Sequence, residues 1–318
     1  MLSTTLRSAT LAVLIAPCLL LPTIASAGNP GDAGLLWLRF GVGGRGGAMG
    51  ETGVASAVDA TASHWNPANL AVAEGTQMAV QHSEYLGLFR RESLALSHAT
   101  RIGTFALGLN GFYSDDIERT SNEGSGLGGT TFRPYGMSAG LSYARSFDAN
   151  ELGSIEVGAT VKFVHMSIDA YGGSSYAFDL GVSHETTLEG LRLAASIQNM
   201  GPAVVLDEED TLLPRVIRGG AAWRPMLDAA PWAERLQFAA EVVSPNDGNA
   251  RLHAGAEIQL HESFALRAGH RFNYDVYGST FGAGFRRGPL VVDYAYMDNA
   301  IDVFDQTHRI SLALSYLD

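Results

Sequence analysis

The sequence predicts an all-β protein: a transmembrane antiparallel β-barrel of about 14 strands with a small N-terminal plug, or hatch, in its lumen. Three observations support this prediction. Apolar and polar residues alternate with a period of two along most of the chain. The composition combines 37 glycines with only 17% charged residues, whereas a soluble domain has about 25% charged residues. The chain also begins with an export signal, which gives access to the outer membrane of a Gram-negative-type cell.

Residues 1–27 have the pattern of a cleaved secretory signal peptide. Arg7 precedes an apolar run from Leu11 to Leu21, and Ala25-Ser26-Ala27 supplies the small residues of a cleavage site. The run is too short for the ~20 residues of a membrane-spanning helix. Cys18, the only cysteine in the chain, would leave with the signal, which excludes disulfides and thiol chemistry from the mature protein.

Residues 28–74 do not alternate and are assigned to the plug. The stretch GVGGRGGAMG at 41–50 is rich in glycine, which permits close approach of backbones inside a lumen. The following GETGVASAVDATAS predicts a short helix of small residues, and HWNPANLA predicts a turn towards the first strand. A segment too short for a domain, placed before a closed barrel, is typical of a luminal plug.

Residues 75–318 contain the predicted barrel strands. Most are 9–11 residues long, which is the length of a tilted strand that crosses a bilayer. A soluble sandwich would accept the same alternation, but small and polar residues on one face suit a barrel lumen. Aromatic residues near strand ends predict interfacial girdles: Tyr85, Phe89, Phe112, Tyr113, Tyr171, Tyr274, Tyr277, Tyr294 and Tyr296. The predicted strands are 75–84, 91–99, 103–113, 135–146, 153–166, 175–184, 190–199, 215–223, 235–243, 250–260, 263–272, 277–287, 289–297 and 307–317.

The connections between strands differ in length. The irregular stretches 114–134, 204–214 and 297–307 are predicted to be external loops. The short connections at 100–103 and 287–289 are predicted to be periplasmic turns.

The stretch GGRGGAMGETGVASAVDATASHWNPANLA resembles the N-terminal signature of the PorV/PorQ family of outer-membrane proteins, which are relatives of the FadL long-chain fatty-acid channel. Later segments such as YAFDLGV, LRLAASIQNMGP and THRISLALSYL look like strands of the same family. Glu51 and Asn69 depart from the family pattern, which has a small residue and a glycine at these places. The positions that match the signature are Arg45, Met49, Gly50, Asp59, Trp65, Asn66, Pro67, Ala68 and Leu70.

The resemblance implies two functional classes, neither of them enzymatic. The first is a component of type IX-like protein secretion or surface attachment, whose partners are secreted cargo proteins and other secretion-system proteins. The second is a hatch-gated channel, as in FadL, for uptake or export of a hydrophobic small molecule. A lumen sealed by residues 28–74, with no apolar pocket or lateral opening, would exclude the second class.

Charged residues in the plug and on the inward strand faces are the candidate functional residues. Arg45 is expected to anchor the plug by pairing with a luminal carboxylate or with Asp59, and Trp65 to pack the plug against the wall. Because the predicted inward charges carry both signs, they are expected to pair across the lumen and hold the plug. These inward charges are Glu156, Lys162, Arg192, Glu241, Glu257, Arg267, Asp293 and Arg309.

Other chemistries are disfavoured. Gly41, Gly43 and Gly46 have G-x-G-x-x-G spacing, but no βαβ unit surrounds them, so a dinucleotide site is not predicted. The acidic run at 207–210 lacks the spaced ligands of a calcium loop, and no H-E-x-x-H or G-x-S-x-G motif is present. We therefore predict no catalytic residue, metal or cofactor. The net charge of −12 also argues against nucleic acid as a partner.

Overall fold

The computed structural model describes residues 31–120, 127–149, 153–226, 231–299, 301 and 305–316, so the predicted signal peptide lies outside the described residues. Eighteen strands are present in this part of the chain, and fourteen of them form one closed antiparallel barrel. The predicted fold class is therefore confirmed. No helix within the described ranges has the length and apolar character needed to cross a bilayer.

The helical segments are short and lie mainly in the N-terminal part of the chain. They are α1 (Gly44–Ala48), α2 (Ala62–Trp65) and three 3₁₀ turns, Leu36–Arg39, Pro67–Val72 and Pro231–Arg235. The strands are β1 (Thr76–Tyr85), β2 (Phe89–Thr100), β3 (Gly103–Ser114), β4 (Ile117–Thr120), β5 (Leu127–Phe132), β6 (Tyr135–Asp148), β7 (Ser154–Ile168), β8 (Tyr171–Glu185), β9 (Leu191–Met200), β10 (Val204–Leu206), β11 (Glu209–Thr211), β12 (Val216–Trp223), β13 (Leu236–Pro245), β14 (Arg251–His261), β15 (Phe264–Phe272), β16 (Tyr277–Arg287), β17 (Leu290–Asn299) and β18 (Thr307–Tyr316).

Each of the fourteen predicted strands overlaps one barrel strand, because the period-two pattern records which side chains face lipid. Strand β6 illustrates the alternation. Met137 and Leu141 are exposed on the outer wall, whereas Ser138 and Ser142 are buried on the inner wall. The barrel closes through β1, which pairs with both β2 and β18 and so leaves no free sheet edge.

The two rims of the barrel differ. One rim, here called the loop end, carries the long connections between β3 and β6, between β9 and β12, and between β17 and β18. The opposite rim, the turn end, carries the short turns at 101–102 and 288–289. Two of the predicted irregular loops contain hairpins, β4–β5 and β10–β11. Asp207 and Glu208 join β10 to β11 with positive φ angles of 50° and 66°, as a tight two-residue hairpin turn requires.

The predicted aromatic girdle is partly wrong. Tyr85, Phe112 and Tyr277 face the interior at the loop end instead of the lipid. The plug supplies Tyr85 and Phe112 with apolar partners, and Tyr277 hydrogen-bonds to the Tyr85 hydroxyl. Phe40 of the plug stacks on Tyr85 with ring centroids 4.3 Å apart, and Trp37 stacks on Phe112 at 6.2 Å. Exposed aromatic pairs at the turn end, Phe105–Tyr143 and Phe264–Phe285, do form part of an outer belt.

Residues 31–73 lie inside the barrel and are called the plug from here on. The plug begins at the loop end, where Ala33 bridges to Leu212. It then descends through α1, which packs against β15, β16, β17 and β18. Its last part, Pro67–Val72, packs against the inner face of the opposite half of the barrel, at β3, β6, β7 and β8. The plug therefore spans the lumen from one side to the other.

The helix predicted for GETGVASAVDATAS is wrong, since this stretch forms consecutive turns between α1 and α2. Gly50 and Glu51 have φ angles of 73° and 63°, which a right-handed helix cannot contain. The backbone N–H groups of Gly53 and Val54 each donate to Glu241 at 2.9 Å instead of to a helical carbonyl. Contacts with the barrel wall thus override the local helix preference.

Candidate functional site

Trp65 is the centre of the plug. Its side chain is fully buried, and the indole Nε1 donates to the Val42 carbonyl at 2.9 Å. Gly46 packs so closely on the indole that an added Cβ would lie 2.9 Å from Cζ2, and a Cβ at Gly53 would overlap the ring. Arg218 of the wall lies over the same ring at 5.3 Å. The glycines of the plug therefore make room for one large aromatic side chain.

Asn66 and Asn69 tie the plug together by side-chain amide hydrogen bonds. The Asn66 amide donates to the Val54 carbonyl at 3.1 Å and to the Val182 carbonyl of β8 at 3.2 Å. Asn69, which departs from the family pattern, donates to Val54 at 3.0 Å and to Ala57 at 2.8 Å. Both side chains are fully buried, and the Val54 carbonyl accepts from both amides.

Pro67 and Ala68 press the plug backbone against the wall. Ala68 is fully buried, and its N–H donates to the Asn66 side chain at 3.1 Å. A Cβ at Gly158 of β7 would lie 2.5 Å from the Ala68 nitrogen, so a glycine is needed at this contact. Asp59 caps the turn before α2 by accepting from the Thr61 N–H at 2.9 Å.

Arg45 connects the plug to the wall through a carboxylate on β14. Its Nε donates to Glu257 at 2.8 Å, and Nη1 donates to the Ser56 carbonyl at 2.9 Å. Burial alone would lower the pKa of Arg45, but the Glu257 carboxylate outweighs it and raises that pKa. From the sequence, Arg45 has two candidate partners, a luminal carboxylate and Asp59. The structure places Arg45 in contact with the luminal carboxylate of Glu257, whereas Asp59 caps a separate turn.

Glu51, the second departure from the family pattern, forms the other ionic link. Its carboxylate pairs with Arg309 of β18 at 2.7 Å and accepts from the Gly41 N–H at 2.8 Å. Burial alone would raise the pKa of Glu51, but Arg309, followed by Arg271 and Arg218, lowers it to about 2. Glu51 is therefore a buried carboxylate that stays ionised.

Met49 and Gly50 fill the space beside this link. Met49 is fully buried among Val54, Ala194 and other small apolar side chains. Gly50 has a positive φ and donates to Thr280 of β16 at 2.9 Å. A Cβ at Gly50 would lie 2.5 Å from the Ala254 carbonyl of β14, so the backbone of the plug packs directly on the backbone of the wall here.

All eight inward charges named from the sequence take part in ion pairs. Arg309, Glu257 and Glu241 also contact the plug, whereas Lys162 and Arg192 pair only with other wall residues. The pairs are Arg309–Glu51 at 2.7 Å, Arg45–Glu257 at 2.8 Å, Arg267–Glu257 at 2.5 Å, Arg267–Asp293 at 2.7 Å, Arg218–Glu241 at 2.7 Å, Lys162–Asp179 at 2.8 Å and Arg192–Glu156 at 3.5 Å.

A cavity of about 160 Å³, here called the loop-end cavity, lies between the plug and strands β12–β18 and β1. Leu36 and Phe40 of the plug line it, together with apolar and aromatic wall residues such as Met297 and Tyr277. The rest of the lining is polar or charged and includes five arginines. Two of them, Arg251 and Arg271, lie over the rings of Tyr274 and Tyr277 at 4.2 and 4.0 Å. The cavity thus combines apolar walls with cationic groups.

A second cavity of about 480 Å³, the turn-end cavity, lies below the plug on the same side of the barrel. It is lined mainly by polar groups, among them Arg45, Glu257 and Asp293. Between the two cavities, α1 and the following turn contact the small wall residues Gly269 and Ala295. Arg45 of α1 lines the turn-end cavity and Glu51 of the following turn lines the loop-end cavity, so this part of the plug lies between the two.

Several residues of this site were not predicted from the sequence. Three inward arginines were missed, Arg218, Arg251 and Arg271. Arg251 and Arg271 lie an even number of residues from the inward His253 and Arg267 on the same strands, and Arg218 faces the same way as Glu241 on the neighbouring strand. Strand parity would have placed them in the lumen. In contrast, no sequence signal pairs Glu51 with Arg309. Among the described residues, no group of three or more His, Cys, Asp or Glu side chains is arranged to hold a metal ion.

These features define a class of structure, the closed 14-stranded barrel of the outer-membrane type whose lumen contains an N-terminal plug. Solved structures with this fold include the Pseudomonas putida toluene transporter TodX, which is 14% identical and has a TM-score of 0.60 over 86% of this chain and 97% of that chain. A deletion mutant of the TodX monoaromatic hydrocarbon channel matches over 87% and 98%, with 13% identity and a TM-score of 0.60. A Pseudomonas aeruginosa FadL homologue is 12% identical, with a TM-score of 0.54 over 87% and 98%.

At these identities the likeness establishes the FadL-type barrel fold. No family model matches the sequence, and no curated protein sequence matches it. The assignment to PorV/PorQ within the wider group of FadL relatives stays a prediction.

Proposed function

We propose that the protein is an outer-membrane channel that takes a small, largely apolar molecule from the loop end and passes it along the plug to the turn end. The loop-end cavity carries this proposal. It lies at the end of the barrel where the long loops are, and Leu36 and Phe40 bring plug side chains into contact with whatever occupies it. The condition that would have excluded a channel, a sealed lumen without an apolar pocket, is not met.

The structural neighbours support a channel more than a secretion component. Two of them are named as a toluene transporter and a monoaromatic hydrocarbon channel. The exposed apolar side chains of the outer wall, such as Leu141 and Phe264, support a place in lipid. The secretion role implied by the PorV/PorQ resemblance is retained as a prediction, to be tested by a search of the genome for other type IX components.

The plug must move for a molecule to pass, because its backbone fills the space between the two cavities. The links that would have to break include the Arg45–Glu257 and Glu51–Arg309 pairs, each with one partner on the plug. Local opening of a small segment is compatible with an intact barrel, since the strand ladders close without the plug.

The test is uptake of radiolabelled toluene and benzoate by liposomes that contain the purified full chain. Leu36→Trp should fill the loop-end cavity and strongly reduce uptake. Leu188→Trp is the matched control, because Leu188 is as exposed as Leu36, 47% for both, but lies in a turn-end connection. Uptake no faster than in protein-free liposomes for both probes would refute the proposed function, as would equal uptake by the two variants.

A further inference from the structure

The loop-end cavity has an excess of positive charge, although the protein carries a net charge of −12. Five arginines line the cavity against a single carboxylate, that of Glu51, among the described lining residues. Glu51 pairs with Arg309, and the carboxylates of Glu241 and Asp247 pair with Arg218 and Arg39. No carboxylate in the described part of the chain pairs with Arg251 or Arg271.

Arg271 is the more informative of the two unpaired arginines. It is only 8% exposed, and its Nε has no hydrogen-bond partner among the described residues. Its guanidinium lies over Tyr277 at 4.0 Å and near Tyr274 at 5.7 Å. An aromatic ring stabilises a cation that lies over its face. It does not accept the N–H groups of the guanidinium, which point outward in the plane of the guanidinium. A buried cation of this kind is complementary to an anionic ligand.

Arg251 approaches the same place from the neighbouring strand. Its guanidinium lies over Tyr274, 4.2 Å from the ring centroid. Both arginines line the loop-end cavity and share Tyr274 as a neighbour, so a ligand in this small cavity meets both guanidinium groups. Two guanidinium groups that share one acceptor fit a carboxylate, whose two oxygens accept several N–H bonds.

The size and walls of the cavity limit the rest of the ligand. A volume of about 160 Å³ is close to the roughly 150 Å³ of an apolar cavity that holds benzene. Leu36, Phe40 and Met297 give the cavity apolar lining besides its arginines. The space therefore suits one ring or a short aliphatic chain, and it is too small for a long acyl chain.

The turn-end cavity suits the same ligand. Its described lining contains five arginines, among them Arg192 and Arg224, against four carboxylates, among them Asp59 and Glu185. A neutral hydrocarbon leaving the plug would meet a charged and hydrated surface there. An ionised molecule would lose less hydration on that part of the path.

We infer that the loop-end cavity binds a small aromatic or short aliphatic carboxylate, with the carboxylate held by Arg271 and Arg251 and the apolar part against Phe40 and Met297. This inference rests on the proposed channel function and specifies its substrate class. The cavity distinguishes ligands by their charge, because a neutral ligand of the same shape leaves the two arginines without an anionic acceptor.

The experiment compares benzoate with benzyl alcohol, which keeps the ring and replaces the carboxylate by a neutral hydroxymethyl group. Binding to the purified full chain in detergent is measured by titration calorimetry. We expect benzoate to bind on the order of tenfold or more tightly, because charge-assisted hydrogen bonds exceed neutral ones. We expect benzoate binding to weaken as salt is raised, and benzyl alcohol binding to stay unchanged.

Arg271→Gln should weaken benzoate binding on the order of tenfold and leave benzyl alcohol binding unchanged. Arg251→Gln, at a less buried position, provides a second variant if Arg271→Gln does not fold. Arg101→Gln, an exposed arginine in the 101–102 turn, is the control and should bind both probes as the wild type does. Circular dichroism verifies the barrel of each variant.

Two results separate the inference from the proposed function. If benzyl alcohol binds as tightly as benzoate, or if both arginine variants weaken both probes alike, the anion site is wrong while the channel proposal stands. If neither probe binds and neither benzoate nor toluene enters the liposomes faster than it enters protein-free ones, the proposed function is wrong and the inference falls with it.

Discussion

The contact between Gly53 and Trp65 allows the strongest test of how the plug is built. A Cβ at Gly53 would overlap the Trp65 indole, and the indole atoms are the nearest ones it would meet. Gly53 does not have a positive φ, so alanine fits the backbone. The substitution Gly53→Ala thus perturbs one contact, and the strain it introduces depends on the presence of the indole.

The expected magnitudes follow from these contacts. Overpacking against a rigid ring costs about 1–3 kcal/mol, so Gly53→Ala should destabilise the plug by that amount. Trp65→Ala should cost about 3–5 kcal/mol for the cavity, plus about 1 kcal/mol for the Val42 carbonyl that loses its donor. In the double variant the alanine at position 53 fits without strain and gains up to about 1 kcal/mol by restricting the unfolded chain. The coupling between the two changes should therefore be about 1–4 kcal/mol.

The assay is hydrogen exchange of plug amides in the purified protein, which reports the free energy of local opening. Gly111→Ala serves as the control, because a Cβ at Gly111 of β3 meets no atom within 4 Å. Strand amides should keep their protection in all variants, since the closed ladder does not depend on the plug. Additive effects of the two substitutions, with no coupling, would refute the described packing.

Three further predictions concern the links that hold the plug. Because the pKa of Glu51 is lowered to about 2 from 4.5, its ionisation stabilises the plug above pH 4.5, and up to about 3 kcal/mol is lost as the pH falls towards 2. Hydrogen exchange of plug amides should show this loss, and Glu51→Gln should remove that part of the pH dependence. Arg45→Ala should destabilise the plug by about 1.5–3 kcal/mol, because Glu257 loses a charged hydrogen-bond partner but keeps Arg267; unchanged exchange would refute an anchoring role. Asn69→Ala should cost about 1 kcal/mol, because the Ala57 carbonyl loses its side-chain donor while the Val54 carbonyl keeps the Asn66 amide; equal exchange rates in variant and wild type would contradict this.

The strands were predictable because lipid and lumen impose opposite polarity on alternate residues along the whole wall. The same rule fails at the loop end. There Tyr85 and Phe112 face inward, because Phe40 and Trp37 of the plug provide apolar partners that no local pattern reveals. Alternation reports that a residue is apolar, but it does not report which apolar neighbour it meets.

The charges show a similar division between local and long-range information. Glu257 and Arg267 are directly opposed across the β14–β15 hairpin, so the short turn between them already predicts the pair. The pairing of Glu51 with Arg309 joins segments far apart in sequence and depends on the path of the plug. The predicted helix at 50–63 failed for the same reason, since Glu241 withdraws two backbone N–H groups from helical bonding.

The central claim is that the plug separates two cavities of one path and must move for a molecule to pass. A disulfide between Gly47→Cys and Ala295→Cys would lock the plug to β17, because the two Cβ positions lie 3.3 Å apart, near the usual disulfide range of about 3.5–4.5 Å. The measurement is liposome uptake of benzoate by this double variant, oxidised and then reduced. The account predicts that oxidation abolishes uptake and that reduction restores it, whereas equal uptake in both states would contradict it.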